Sequence, residues 1–327
     1  MFFTNKKVLI TGGSGMIGRS LVKLLIDQNA IVTVADLNKP SDFWPEANFI
    51  KVDLRYLDQC ENICNGMDYV FHVAGIKGSP KMCAEQPADF MVPMLQFNTN
   101  MAEAARKANV KWYLYTSSVG VYSPSDIFFE DDVWKTMPSE NDKFAGWTKR
   151  MGELQLAAYQ IQYGVKNSSI VRPANVYGNY DNFNPLNAMV IPSLIRKAQE
   201  NDVLEVWGDG SPIRDFIHAD DVAYGMLFAV ENQITDPINL GSGKGHSIKE
   251  IVNLVVKYSN KQNLTINWLT DKPSGDKVRI LNMDRANSKG FYPKVSLEDG
   301  IRKTTEWFIK NKSIIDNRFN AFTKNKI

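Results

Sequence analysis

The chain has 327 residues, 44% of them hydrophobic and 23% charged, so it can bury a sizeable core and exceeds one ordinary domain; two lobes or one large α/β unit are expected. With 38 Lys and Arg against 36 Asp and Glu it is close to neutral, which argues against a general nucleic-acid binder. No apolar run approaches the roughly eighteen residues of a membrane span and no leader pattern opens the chain, so the cytoplasm is the expected location.

In chain order, Lys7-Val8-Leu9-Ile10 is a short apolar run ending in glycines, and Met16 to Asp27 has helical periodicity. Ile31-Val32-Thr33-Val34-Ala35 is β-branched and ends at an acid. Further strands are predicted at Phe49–Val52, Tyr69–Val73, Trp112–Tyr115 and Ser169–Val171, with helices between them, notably Pro93–Ala108 and Gly146–Tyr163. Continuous apolar strands separated by helices indicate a parallel sheet covered on both faces, an α/β doubly wound fold of Rossmann type. After Arg172-Pro173 turn residues crowd Gly178–Asn187, a helix pattern follows at Val190–Glu200, and Phe216-Ile217-His218 reads as another sheet strand feeding a helix over Ala219–Val230. The expected division is a dinucleotide-binding domain over 1–171 plus about 213–237, a smaller α/β substrate lobe over 172–212 and 238–311, and a polar tail over 312–327. The three cysteines, Cys60, Cys64 and Cys83, are odd in number and lack nearby histidines, so free thiols are expected, with neither a disulfide framework nor a metal site.

The first strand-to-helix turn carries the most specific motif. Thr11-Gly12-Gly13-Ser14-Gly15-Met16-Ile17-Gly18 satisfies both G-x-x-G-x-x-G and G-x-G-x-x-G spacings. Glycines there permit a tight turn and let backbone N–H groups approach a pyrophosphate at the helix N-terminus. Asp36 closes the second strand eighteen residues past Gly18, where a carboxylate accepts ribose hydroxyls and repels a 2′-phosphate. NAD is therefore expected rather than NADP, with Lys39 nearby as the one contrary sign.

Several further motifs follow in order. Asp53-Leu54 stands after the third strand, His72-Val73-Ala74-Gly75 after the fourth, and Thr116-Ser117-Ser118 after the fifth. Arg172-Pro173-Ala174-Asn175-Val176-Tyr177-Gly178 and Arg214-Asp215-Phe216-Ile217-His218-Ala219-Asp220-Asp221 complete the set. With this set the chain resembles, from about Lys7 to Lys310, the extended short-chain dehydrogenase/reductases of the NAD-dependent epimerase/dehydratase family, which act on nucleotide sugars. The resemblance implies that Gly12, Gly15, Met16, Ile17 and Gly18 hold the cofactor phosphates and that Asp53 and Leu54 bracket the adenine. It also implies that Val73, Ala74 and Gly75 line the path to the nicotinamide, that Asn98 lies near the ribose, and that Thr116, Lys149 and Pro173 belong to the cofactor site. Read without it, Asp53 is a helix-capping aspartate and Asn98 a polar residue inside a helix.

Hydride transfer at a sugar carbon needs a base for the hydroxyl proton. The family uses a tyrosine four residues before a lysine on one helix face, the ammonium lowering the phenol's pKa, with a Ser or Thr orienting the sugar hydroxyl. Here Ser118 and Lys149 match, but the residue four before Lys149 is Ala145, and Phe144 is out of register and has no hydroxyl. Two readings stay open: a tyrosine native to position 145 exchanged by design for alanine, which is the one favoured, or a natural member that has lost or moved its base.

On the substrate side Asp181–Lys197 and Val206-Trp207-Gly208-Asp209-Gly210 resemble the GDP-fucose synthase branch. The resemblance implies substrate contacts from Ser118, Val119, Asn175, Val190, Leu194, Trp207, Arg214 and Arg279, the arginines serving a diphosphate through paired N–H groups. Arg279 could equally be a solvated surface charge and Trp207 a core residue. That branch places a cysteine and a histidine where this chain has Gly120 and Met189, so 3,5-epimerisation is not expected. Val119-Gly120 stands where the 4,6-dehydratases have Asp-Glu, so dehydration is not expected either. What remains is NAD-dependent chemistry at C4 of a nucleotide hexose, as in a 4-epimerase or 4-dehydrogenase. A GDP-4-keto-sugar reductase without epimerase activity is the alternative, and a catalytically silent binder is an alternative of another class. GDP-sugars are favoured over UDP-, CDP- and dTDP-sugars, and a homodimer through a four-helix interface is expected.

Overall fold

The computed structural model describes residues 1–76, 85–261, 263–272 and 275–315. Cys83 and residues 316–327 of the predicted tail lie outside the described residues, and Lys312–Ile315 forms a short helix.

The strands are β1 Lys7–Thr11, β2 Ile31–Asp36, β3 Asn48–Lys51, β4 Tyr69–His72, β5 Trp112–Thr116, β6 Ile127–Phe128, β7 Ser168–Pro173 and β8 Asn175–Tyr177. They continue as β9 Val203–Trp207, β10 Ile213–Arg214, β11 Phe216–His218, β12 Ile238–Leu240, β13 His246–Ser247, β14 Thr265–Leu269 and β15 Val278–Leu281. The helices that matter below are α1 Met16–Asp27, α2 Leu57–Cys64, α3 Pro87–Lys107, α4 Lys143–Tyr163, α5 Val190–Glu200, α6 Ala219–Glu231 and α7 Ile248–Tyr258.

Seven strands form one parallel sheet in the order β12-β7-β5-β4-β1-β2-β3. The chain winds outward from β1 through β2 to β3, then crosses back to β4 on the other side, so the switch point lies between β1 and β4. At such a point the two outgoing loops diverge and leave a crevice at the carboxyl ends of the strands. Residues of β1 alternate between the two faces: Val8 and Ile10 pack into the cluster with Val22 of α1 and Met226 of α6. Leu9 packs oppositely, with Ile63 of α2 and Met101 of α3. This is why the strands read as unbroken apolar runs. A third cluster, with Ile195 of α5, Leu204 of β9 and Val252 of α7, makes the core of the second lobe.

The structure moves some predicted boundaries. Ile238–Leu240, assigned from sequence to the second lobe, pairs with Val171–Pro173 and closes the edge of the main sheet. Phe216–His218 is a strand, but it pairs with β8 in a separate two-stranded sheet. Helix α3 begins six residues earlier than predicted, at Pro87, whose fixed φ suits a first turn, and carries Pro93 within it. Helix α4 begins at Lys143 and ends on Gly164 in the left-handed region (φ +67°).

Candidate active site

The glycine turn follows directly from the β1–α1 junction. Gly12 has φ +69°, and a Cβ there would lie 2.7 Å from the Cα of Ala74 in the loop after β4. A Cβ on Gly18 would lie 2.3 Å from the Gly12 carbonyl oxygen, so helix α1 can approach the turn only without a side chain at that position. Gly15 precedes α1 in an extended conformation with no side-chain cap, which leaves the first N–H groups of the helix for an anion. The residues present therefore fit a dinucleotide pyrophosphate. Asp36 at the end of β2 accepts hydrogen bonds from the backbone N–H groups of Ser14 (3.0 Å) and Leu37 (2.7 Å). Burial pushes its carboxyl up, and those donors oppose the change.

One cleft of about 2810 Å³ runs from this turn across the sheet end to the second lobe. Ordinary small-molecule pockets hold about 300–1,000 Å³, so this volume suits two ligands end to end. Asp53, Leu54, Val73, Gly75, Thr116 and Pro173 line it on the glycine-turn side. Ser118, Val119, Lys149 and Asn175 line its middle, and Val190, Leu194, Trp207, Arg214 and Arg279 its far end. Asp53 does not cap α2, whose N-cap is Tyr56; it grips its neighbour Arg55 through backbone and guanidinium. Trp207 is 50% exposed at the cleft edge, which removes the core reading.

Two predicted positions do not line the cleft. Asn98 is buried beneath it and its Oδ1 lies 3.0 Å from His72 Nε2, while His72 Nδ1 lies 2.8 Å from Thr11 Oγ1. An amide oxygen can only accept, so His72 donates from Nε2 and accepts the Thr11 hydroxyl proton at Nδ1. Burial, reinforced by the Lys149 charge, pushes His72 down to about 3, so the ring stays neutral. Thr11 Oγ1 in turn accepts from the Ala74 N–H (3.3 Å), tying the loop after β4 to the glycine turn. The other absentee is Ala145. It is half-buried and, like Ala74 and Ile76, packs against the buried cluster that includes Phe97 and Met101.

Lys149 is 8% exposed and donates from Nζ to the Thr116 carbonyl oxygen (2.8 Å). Burial pushes its amine down to about 8, and Glu153 one turn on opposes the change. Glu153 itself takes a bidentate grip from Arg172 (2.7 and 3.0 Å) and a bond from Ser117 Oγ, fixing α4 to the ends of β5 and β7. Ser118 Oγ accepts from the Gly120 N–H at 3.1 Å, which orients it.

At the far end Arg214 and Arg279 are register partners on the paired strands β10 and β15. Arg279 is bound to Asp142 (2.6 Å) and lies 3.7 Å from Asp276, and with a side chain 11% exposed it is not a solvated charge. Arg214 donates to the backbone carbonyl of Ile213 (2.9 Å), and burial beside Arg279 pushes its pKa down. Gly120 and Met189 both line this part of the cleft and offer no acid–base group.

Sequence reasoning missed Asp142, which only tertiary folding brings to Arg279, and Asp276, three residues before Arg279 in the chain. It also missed Arg19, which binds Asp42 through two nitrogens and stacks under Tyr180 (3.9 Å to the ring centre), bridging the glycine-turn helix and the loop after β8. Neither the Asp142–Arg279 nor the Arg19–Tyr180 pair leaves a spacing signal. The thiols of Cys60 and Cys64 are buried and pushed up to about 12. Among the described residues no cluster of three metal-ligating side chains occurs, and no helix is long and apolar enough to cross a membrane.

With this geometry established, comparison with known proteins is informative. The model of the NAD dependent epimerase/dehydratase family matches residues 8–241. GDP-L-fucose synthase 1 of Arabidopsis thaliana is 30% identical over 317 residues, covering 93% of this chain and 94% of that protein. Among solved structures, a UDP-N-acetylglucosamine 4-epimerase from Methanobrevibacter ruminantium superposes with a TM-score of 0.84 at 26% identity, covering 94% of this chain and 99% of that one. A UDP-glucose 4-epimerase from Thermotoga maritima does so with a TM-score of 0.81 at 26% identity, covering 93% and 99%.

Proposed function

The chain belongs to the NAD-dependent epimerase/dehydratase family, and from that premise we propose that it is a nucleotide-sugar enzyme working by hydride transfer at C4 of the hexose, with its proton-transfer step impaired at Ala145. The observation that carries this reading is the composition of the cleft. Ser118 and Lys149 sit between a dinucleotide turn and an arginine pair suited to a diphosphate, while positions 120 and 189 carry no group for epimerisation at C3 or C5. A nicotinamide dinucleotide held at the glycine turn would supply the hydride acceptor or donor. Ser118 holds the reacting hydroxyl, and the buried Lys149 charge stabilises negative charge developing beside it. The carboxylate of Asp36 at the ribose end favours NAD over NADP. Lacking a phenol at position 145 costs on the order of 10²–10⁴ in rate and leaves binding intact.

GDP-sugars are the favoured substrates, supported by the similarity to GDP-L-fucose synthase. That same similarity supports a second reading, a GDP-4-keto-sugar reductase without epimerase activity. The packing of the Ala145 methyl on apolar neighbours supports a third, a silent binder of the same ligands. We also propose a homodimer through α3 and α4, because Phe144, Met151, Leu154 and Ile161 form an exposed apolar stripe along α4. The test is A145Y assayed with GDP-, UDP-, CDP- and dTDP-sugars, following reduced cofactor by absorbance and product by mass. Turnover at least a hundredfold above the native chain is expected on one of them. Absence of turnover on all four classes refutes the C4 reading.

A further inference from the structure

Asp142 immediately precedes α4 and lies three and seven residues before Ala145 and Lys149, so the three positions share one helix face. Unlike Ala145, Asp142 lines the cleft. Its Cβ, Cγ and Oδ1 all lie 3.5 Å from the point that a Cβ on Gly120 would occupy, so the carboxylate rests beside the bare glycine. The N–H of that glycine is bonded to Ser118 Oγ (3.1 Å). The orienting hydroxyl and a carboxylate thus flank a single residue. The other oxygen, Oδ2, is 2.6 Å from Arg279, whose second nitrogen has Asp276 at 3.7 Å. A diphosphate seated on Arg214 and Arg279 would compete with Asp142 for the guanidinium. Released from its arginine, the carboxylate would have both oxygens free to accept a hydrogen bond from a substrate hydroxyl.

Resting on the C4 reading, we propose that Asp142 accepts the substrate hydroxyl proton in this chain, taking up that task when the diphosphate draws Arg279 away from it. As the carbinol carbon gives its hydride to the oxidised cofactor, the O–H bond breaks, its proton passes to the Asp142 carboxylate, and the C–O bond becomes a carbonyl. In the reverse direction the carboxylic acid returns the proton to the forming hydroxyl.

The test combines D142N, A145Y and the double variant. Thermal melting checks folding, with D142S read instead if D142N does not fold. Single-turnover formation of reduced cofactor is followed on the substrate class identified above, and binding of GDP and of NAD is measured by calorimetry. Asp142 as acceptor predicts that D142N slows the native chain at least tenfold and binds GDP as tightly as before or more tightly. In the A145Y background, where a phenol takes the proton, D142N should change the rate by less than threefold. The proposal is overturned, with the C4 reading standing, if D142N stays within threefold of the native chain, or if it slows the A145Y background equally. The same holds if GDP binding weakens in step with the rate, or if only A145Y turns over at all. If neither the native chain nor A145Y acts on any sugar, the C4 reading fails and the proposal fails with it.

Discussion

Replacing Lys149 by methionine should make the protein more stable at neutral pH. The amine is buried at 8% exposure and burial pushes it from an ordinary value near 10.5 down to about 8. Each tenfold change in proton affinity corresponds to about 1.4 kcal/mol, so the charged form costs the fold on the order of 3 kcal/mol at pH 7. The variant forfeits the bond from Nζ to the Thr116 carbonyl oxygen (2.8 Å), about 1 kcal/mol, which leaves K149M more stable by about 2 kcal/mol. The sign follows from proton binding. Between about 8 and 10.5 the unfolded chain holds a proton that the folded chain has released, so the native protein's deficit is full below that window and vanishes as pH rises through it. Urea unfolding of both proteins at pH 7 and again near pH 10 measures the gap. A methionine variant less stable at pH 7, or a gap equal at both pH values, refutes the argument. A stabilising substitution at this position is what a group kept for chemistry at the expense of stability implies.

Asp36 sets a second prediction. D36S should weaken NAD binding by about tenfold and strengthen NADP binding, read by calorimetry, because the carboxylate partner of the ribose hydroxyls is gone. Glu153 sets a third. E153Q leaves the Arg172 guanidinium, whose side chain is 2% exposed, without its counter-charge, and should cost about 3–5 kcal/mol in urea unfolding while leaving the cleft lining unchanged.

The main sheet is legible in the sequence because each strand is buried on both faces and so reads as a continuous apolar run. The glycine turn is legible because Gly12 and Gly18 face backbone at 2.7 and 2.3 Å, distances no side chain tolerates. The second lobe is less so. β10, β11 and β13 are two or three residues long, too short to show a period, and their sheets form between segments far apart in the chain. Ile238–Leu240 falls to the wrong lobe for the same reason, since three apolar residues do not reveal which sheet they join. At the site, side chains inside local motifs can be found, whereas Asp142 with Arg279 and Arg19 with Tyr180 depend on contacts 137 and 161 residues apart along the sequence. Asn98 is expected near the ribose, yet its Oδ1 faces inward to His72, a partnership its helix spacing could not disclose.

The central claim is hydride transfer at C4 of a nucleotide sugar. Its most direct test is isotope transfer: A145Y loaded with NAD is given the responsive nucleotide sugar carrying deuterium at C4, and the cofactor is recovered and weighed. The account predicts deuterium in the reduced nicotinamide ring. A reduced cofactor without deuterium, or none reduced with any sugar, would contradict it.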